Sequence, residues 1–129
     1  AGRARQLITF NGRGFDCPFL LVRSAANHVR PTTDLMPNRY SNQHIDLMDQ
    51  LTWFGALRRR FSLDVWCDAL GVDQPKREVH GSEVGALYAA GEYMKIARYC
   101  LGDAIATAQL FDLWSRYMRY PPAGMPEGS

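Results

Sequence analysis

Cysteine is scarce in this sequence: Cys17, Cys67 and Cys100 are all there is among 129 residues. An odd number at wide spacing, without a Cys-x-x-Cys pair, argues against a disulfide framework and gives no support to a zinc or thiol-redox motif. Reduced thiols in a cytosol-like compartment are the expectation, and the expected localisation is cytoplasmic. Long apolar runs are missing too. The longest clearly apolar stretch, Pro18 to Val22, is far shorter than the roughly 18 to 20 residues of a membrane span, so no membrane partner is expected. Neither sign of charge dominates: 15 Lys and Arg against 13 Asp and Glu leave +2, which admits a nucleic-acid partner without demanding one. The Gly-x-Gly-x-x-Gly and Gly-x-x-x-x-Gly-Lys patterns are both absent, which sets a nucleotide-cradling loop aside.

What is present suits a folded chain. A hydrophobic share of 47%, with three Trp, six Tyr and six Phe, supplies the apolar side chains of a core and excludes wholesale disorder. The length is one domain's worth, within the common range of roughly 100 to 150 residues. The expected organisation is a domain portion over residues 1–120 and a flexible tail over 121–129.

The β-favouring run over 5–10 predicts a strand, the Gly-bearing turn Asn11-Gly12-Arg13-Gly14 follows, and Asp16-Cys17-Pro18 predicts the start of a helix running to about Asn27. Pro31, Pro37 and Asn38 break the pattern into a surface loop over 28–41, and order returns at His44-Ile45-Asp46-Leu47. Ser62 is the expected N-cap of a second helix that Gly71 stops. A polar connection through Gln74-Pro75-Lys76 leads to a third helix from Ser82-Glu83. Gly91 separates it from helical periodicity over 92–118, with one possible interruption at Gly102. No internal repeat is present.

Two acids stand out. On the last helical segment Ile96, Tyr99, Cys100, Thr107, Leu110, Phe111 and Trp114 share one stripe, and Asp103 lands near its centre. A buried unpaired carboxylate costs several kcal/mol, on the order of 2–7 for a polar group, so such an acid is usually rescued by a hydrogen bond, a cation or a metal ion. Capping or bonding to a neighbouring element is the structural alternative. Asp16 directly follows a strand and a Gly-x-Gly turn, where strand carboxyl ends form the sites of open α/β sheets. A helix-initiating acid is the alternative there.

At these positions the sequence resembles the DnaQ-like (RNase H-like) 3′-5′ exonuclease superfamily. Asn11-Gly12-Arg13-Gly14-Phe15-Asp16 resembles its second motif, an Asn followed after a short gap by an aromatic and Asp. Tyr99-Cys100-Leu101-Gly102-Asp103 matches the tyrosine form of the third, Tyr-x-x-x-Asp. Between them, His44-Ile45-Asp46-Leu47, Ser62-Leu63-Asp64 with Leu70-Gly71, and Gly81-Ser82-Glu83-Val84 are similar to blocks of the predicted exonucleases related to the proofreading domain of family B DNA polymerases. The similarity covers nearly all of residues 6–118, with five blocks in order.

The resemblance implies an α/β, RNase H-like exonuclease fold and a nucleic-acid substrate with a free 3′ end. It implies that Asp16 and Asp103 bind a pair of divalent ions, Mg²⁺ or Mn²⁺, that Tyr99 orients the attacking water, and that Asn11 lines the substrate end. Carboxylates suit those ions, and a pair of them promotes phosphodiester hydrolysis. His44 and Asp46 are secondary substrate-side candidates, with a structural hydrogen bond as the alternative. Phe15 is a candidate for stacking on a terminal base or for packing beneath the sheet. Arg58-Arg59-Arg60 could contact phosphate or form a solvated surface run.

One element of the family pattern is not found. The first motif, Asp-x-Glu on the opening strand, has no counterpart before Asn11. The expectation is therefore a helix-rich chain lacking the fold's N-terminal strands, inactive by itself. A fragment of a longer protein, a homo-oligomer, a partner chain supplying the missing half, or a non-catalytic nucleic-acid- or protein-binding module all accommodate that absence.

Overall fold

The computed structural model describes residues 6–73 and 81–121. They form two compact units, one ending at Phe61 and the other beginning at Ser62. The Gln74-Pro75-Lys76 connection and the tail beyond Pro121 lie outside the described residues.

The first unit is built on two short parallel strands, β1 (Leu7–Thr9) and β2 (His44–Asp46). Their register pairs Leu7 with His44, Ile8 with Ile45 and Thr9 with Asp46. Parallel neighbours need a crossover, and α1 (Cys17–Ala26) lies in that connection. All of β2 is buried, whereas β1 is half-buried. Among the described residues β1 pairs with β2 alone, so its other edge carries no strand partner. The apolar core of this unit includes Cys17, Ile45, Leu47, Met48 and Leu51, and the polar His44, Asp46 and Thr52 are buried beside it.

Between β1 and α1 the chain makes a π-type turn over Gly12–Asp16. Asn11 opens it in the left-handed region, at φ 62°, a conformation asparagine tolerates better than most residues. Gly12 then has to be glycine, because a Cβ there would stand 2.5 Å from Thr9 Cβ. The helix expected from Asp16 to Asn27 is present as α1, and Pro18 sits in its first turn, where its missing N–H costs nothing. Strand β2 runs directly into α2 (Leu47–Leu51).

The second unit is helical. Ser62 caps α3 (Leu63–Ala69), its Oγ accepting from Val65 N–H at 3.3 Å. Gly71 follows at φ 71°, where a side chain would be strained. A single turn over Gly81–Glu83 leads into α4 (Val84–Ala89), Gly91 at φ 74° ends it, and α5 (Tyr93–Tyr117) completes the unit. Helix α5 passes through Gly102 without a break, so the possible interruption there does not occur. Both α3 and α4 lie against α5. Cys67, Val72, Ala106, Leu110 and Trp114 are buried.

The described residues are mixed α/β, with a small parallel sheet and a majority of helix. Among the described residues no helix is long and apolar enough to cross a membrane.

Candidate active site

The first unit places Asn11 and Asp46 at the carboxyl ends of β1 and β2, with His44 opening β2. Asp46 is the hub. Its Oδ1 accepts from Asn11 N–H at 2.7 Å and from Met48 N–H at 2.9 Å, and its Oδ2 accepts from Arg13 N–H at 3.1 Å. One buried carboxylate therefore caps α2 and holds both ends of the Asn11–Arg13 turn. Burial pushes the Asp46 carboxyl above the ordinary aspartate range; the N–H donors of Asn11 and Arg13 pull it back, and the nearby Asp49 charge raises it further.

His44 is buried as well. Its Nδ1 lies 2.9 Å from the Leu35 carbonyl, and its Nε2 lies 2.8 Å from Thr9 Oγ1. Thr9 Oγ1 in turn accepts from Gly12 N–H at 3.2 Å. A neutral imidazole with its proton on Nδ1 satisfies the whole series: it donates to Leu35 and accepts from the Thr9 hydroxyl. The sequence-level alternative of a structural hydrogen bond thus describes the visible partners of both His44 and Asp46. Their hydrogen-bonding atoms are engaged in fixing the turn that carries Asn11.

Asn11 points its side chain elsewhere, its Oδ1 accepting from Arg60 Nη2 at 2.7 Å. Phe15 is 65% exposed and stacks on Phe19, with ring centres 6.4 Å apart. It does not pack beneath the sheet. Asp16 is exposed at the junction of the turn with α1, and its side chain makes no capping hydrogen bond. The helix-initiating alternative is left with the favourable charge of an acid at a helix start and without a capping bond.

Tyr99 and Asp103 belong to the second unit, on α5, and both are half-buried. Four residues apart on an unbroken helix, they project to the same face. Asp103 Oδ1 is withdrawn from solvent, and the Asp103 carbonyl accepts from Thr107 Oγ1 at 2.7 Å. The stripe holding Asp103 is more exposed at its N-terminal end than its apolar composition suggests: Cys100 is exposed, whereas Leu110 and Trp114 are buried.

The structure also reveals a cleft of about 450 Å³ in the first unit, lined by Arg13, Arg39, Asp46, Phe54, Arg58 and Arg60 among others. Arg58 and Arg60 were legible as part of a basic run. Arg13 and Arg39 carried no local signal, since only the pairing of β1 with β2 and the fold of the following loop bring them to one cavity.

The family whose sequence pattern matches the chain is described as a predicted 3′-5′ exonuclease related to the exonuclease domain of PolB, and the match runs over residues 1–122. No curated protein and no solved structure matches the chain. The matched span takes in both the Asn11–Asp16 block and the Tyr99–Asp103 block, and with it the chain belongs to this family of predicted 3′-5′ exonucleases related to PolB.

Proposed function

We propose that the protein is a 3′-5′ exonuclease that hydrolyses phosphodiester bonds at nucleic-acid 3′ ends, using a pair of divalent ions, Mg²⁺ or Mn²⁺. The observation that carries this reading is Asp16: an acid at the end of the turn that joins β1 to α1, exposed and spent on no capping bond. Family membership supplies the reaction class. Asp16 and Asp103 are the metal-binding carboxylates in this reading, and Tyr99 orients the attacking water. Asn11 and Phe15 face the substrate, and His44 and Asp46 hold the Asn11 turn in shape. The ions, when bound, activate water and stabilise the leaving 3′ oxygen.

Two carboxylates are too few for such a centre, which takes more oxygen donors than they provide. Among the described residues no three His, Cys, Asp or Glu side chains gather into a metal-binding group. We therefore assign the remaining oxygens to an Asp-x-Glu strand outside these 129 residues. The edge of β1 that carries no strand among the described residues suits such a strand, because an unpaired row of N–H and C=O groups accepts a neighbour. The fold then becomes an RNase H-like sheet completed at that edge.

The test is degradation of a 5′-labelled single strand, DNA and RNA in parallel, by the gene-encoded polypeptide that carries these residues, with Mn²⁺ or Mg²⁺ added. A ladder shortening from the 3′ end, absent with EDTA and lost by about 100-fold or more in Asp103→Asn, is expected on the scale of a removed catalytic group. An undegraded strand, or full activity in Asp103→Asn, would remove the reading.

A further inference from the structure

The basic cleft of the first unit has a charge arrangement that the proposed hydrolysis does not require. Four arginines and two carboxylates line it, and the carboxylates are already occupied. Asp46 takes three backbone N–H groups. Asp49 is paired with Arg39 at 3.2 Å, and Arg39 is held again by the Phe54 ring at 5.4 Å. Arg60 gives one N–H to Asn11, a neutral acceptor. Arg13 Nη1 is buried with no hydrogen-bond partner among the described residues, and Arg58 has no carboxylate partner among them. Arg13, Arg58 and Arg60 thus line one cavity without an ion-pair partner among the described residues, beside the single unpaired carboxylate of Asp46.

The basic run over 58–60 divides accordingly. Arg58 and Arg60 line the cleft, while Arg59 lies over the Phe61 ring at 5.1 Å. Guanidinium forks match phosphate oxygens in pairs, and three of them line this one cavity. The lining also includes the apolar side chains Met36, Met48, Phe54 and Leu57. Its volume falls in the range of small-molecule sites, about 300–1,000 Å³.

We propose that this cleft binds a nucleotide unit: Arg13, Arg58 and Arg60 take its phosphate, and the apolar lining residues, Phe54 among them, take its base. The phosphate belongs either to a phosphodiester within a strand or to a free 5′-mononucleotide. This deepens the exonuclease reading by naming where that substrate is gripped, and it rests on that reading for the choice of nucleotide over other phosphates.

The experiment measures fluorescence anisotropy of a labelled single strand with the gene-encoded polypeptide, in EDTA so that no turnover occurs. Arg58→Ala/Arg60→Ala should weaken binding at least tenfold and lower the salt dependence by roughly 1.4 log units per log unit of salt, from about 0.7 for each phosphate contact on a single strand. Arg59→Ala should bind like the wild type. Competition separates the two sources. Displacement by a 5′-mononucleotide but not by its nucleoside assigns the cleft to a terminal or free nucleotide, and displacement by unlabelled strand alone assigns it to the phosphodiester. Circular dichroism verifies that each variant is folded. Equal affinity and salt slope in the wild type and the Arg58/Arg60 variant would overturn the proposal, as would an equal loss in Arg59→Ala. A strand that binds through the cleft but is never cut when metal is added would instead remove the exonuclease reading and leave the cleft standing.

Discussion

The carboxylate of Asp46 accepts the N–H of Asn11 at 2.7 Å across a sequence separation of 35 residues. With the Arg13 and Met48 N–H groups on the same side chain, this bond makes one buried acid the fastener between the Asn11–Arg13 turn and the start of α2. It also ties the stability of the first unit to the position of Asn11 and the basic cleft.

Asp46→Ala leaves three N–H groups without their acceptor and removes the cap of α2, and should cost about 3 kcal/mol. Asp46→Asn keeps one oxygen but offers an NH₂ toward Arg13 N–H, and should cost about 1–2 kcal/mol. Urea denaturation of the two variants beside the wild type checks both the order and the size. Equal stability of all three would show that the bonds carry no net weight.

The same acid sets a pH dependence. Because burial raises the folded-state value of Asp46 above its ordinary one, the folded protein takes up this proton first as pH falls. Its contribution to stability is fully present below the unfolded value, about 3.9, and is lost as pH rises through the raised folded value. The stability difference between wild type and Asp46→Asn should therefore shrink as pH rises from about 4 to 7. Thermal melts at several pH values read it, and a difference that grows with pH would contradict the assignment.

The helix ends were legible because their causes are local. Ser62 and its hydroxyl acceptor, Gly71 and Gly91 each act within a few residues, and the structure has them at the ends the sequence marks. The continuity of α5 through Gly102 was not legible, since one glycine costs about 1 kcal/mol against alanine, less than tertiary packing supplies. Strand β2, at three residues, is too short to show a period of two. A structural hydrogen bond was legible as an alternative for Asp46, but its partners were not: Asn11 and Arg13 become its neighbours only when the strands pair. The same holds for the meeting of Arg13, Arg39, Arg58 and Arg60 around one cavity.

The turn that carries Asn11 depends on the absence of a side chain at Gly12. An added Cβ would stand 2.5 Å from Thr9 Cβ, an atom fixed to the β1 backbone rather than the end of a flexible chain. Gly12→Ala should cost about 2 kcal/mol or more by overpacking. It should also disturb the Thr9–His44 bond, visible as a shift of the His44 ring resonances. A variant as stable as the wild type would place the turn differently.

Thiol reactivity separates the three cysteines. Cys100 is exposed, whereas Cys17 and Cys67 are buried. Burial, and then the charges of Asp16 and Asp46, raise the Cys17 thiol above its ordinary value despite Arg13, which lowers its thiolate fraction at neutral pH. A colorimetric thiol reagent should modify one thiol quickly and the other two only in denaturant. Fast reaction of Cys17, located by mass spectrometry, would contradict the buried start of α1.

The most direct test of the account asks whether Asp16 and Asp103 act in one catalytic centre. The measurement is the single-turnover rate of 3′-end removal by Asp16→Asn, Asp103→Asn and the double variant, each in the gene-encoded polypeptide with Mn²⁺. Residues that act as a unit are strongly non-additive, so each single substitution should lower the rate by about 100-fold or more and the double variant should fall little further. Losses that multiply, or a single variant that retains the wild-type rate, would contradict the shared site and with it the exonuclease mechanism.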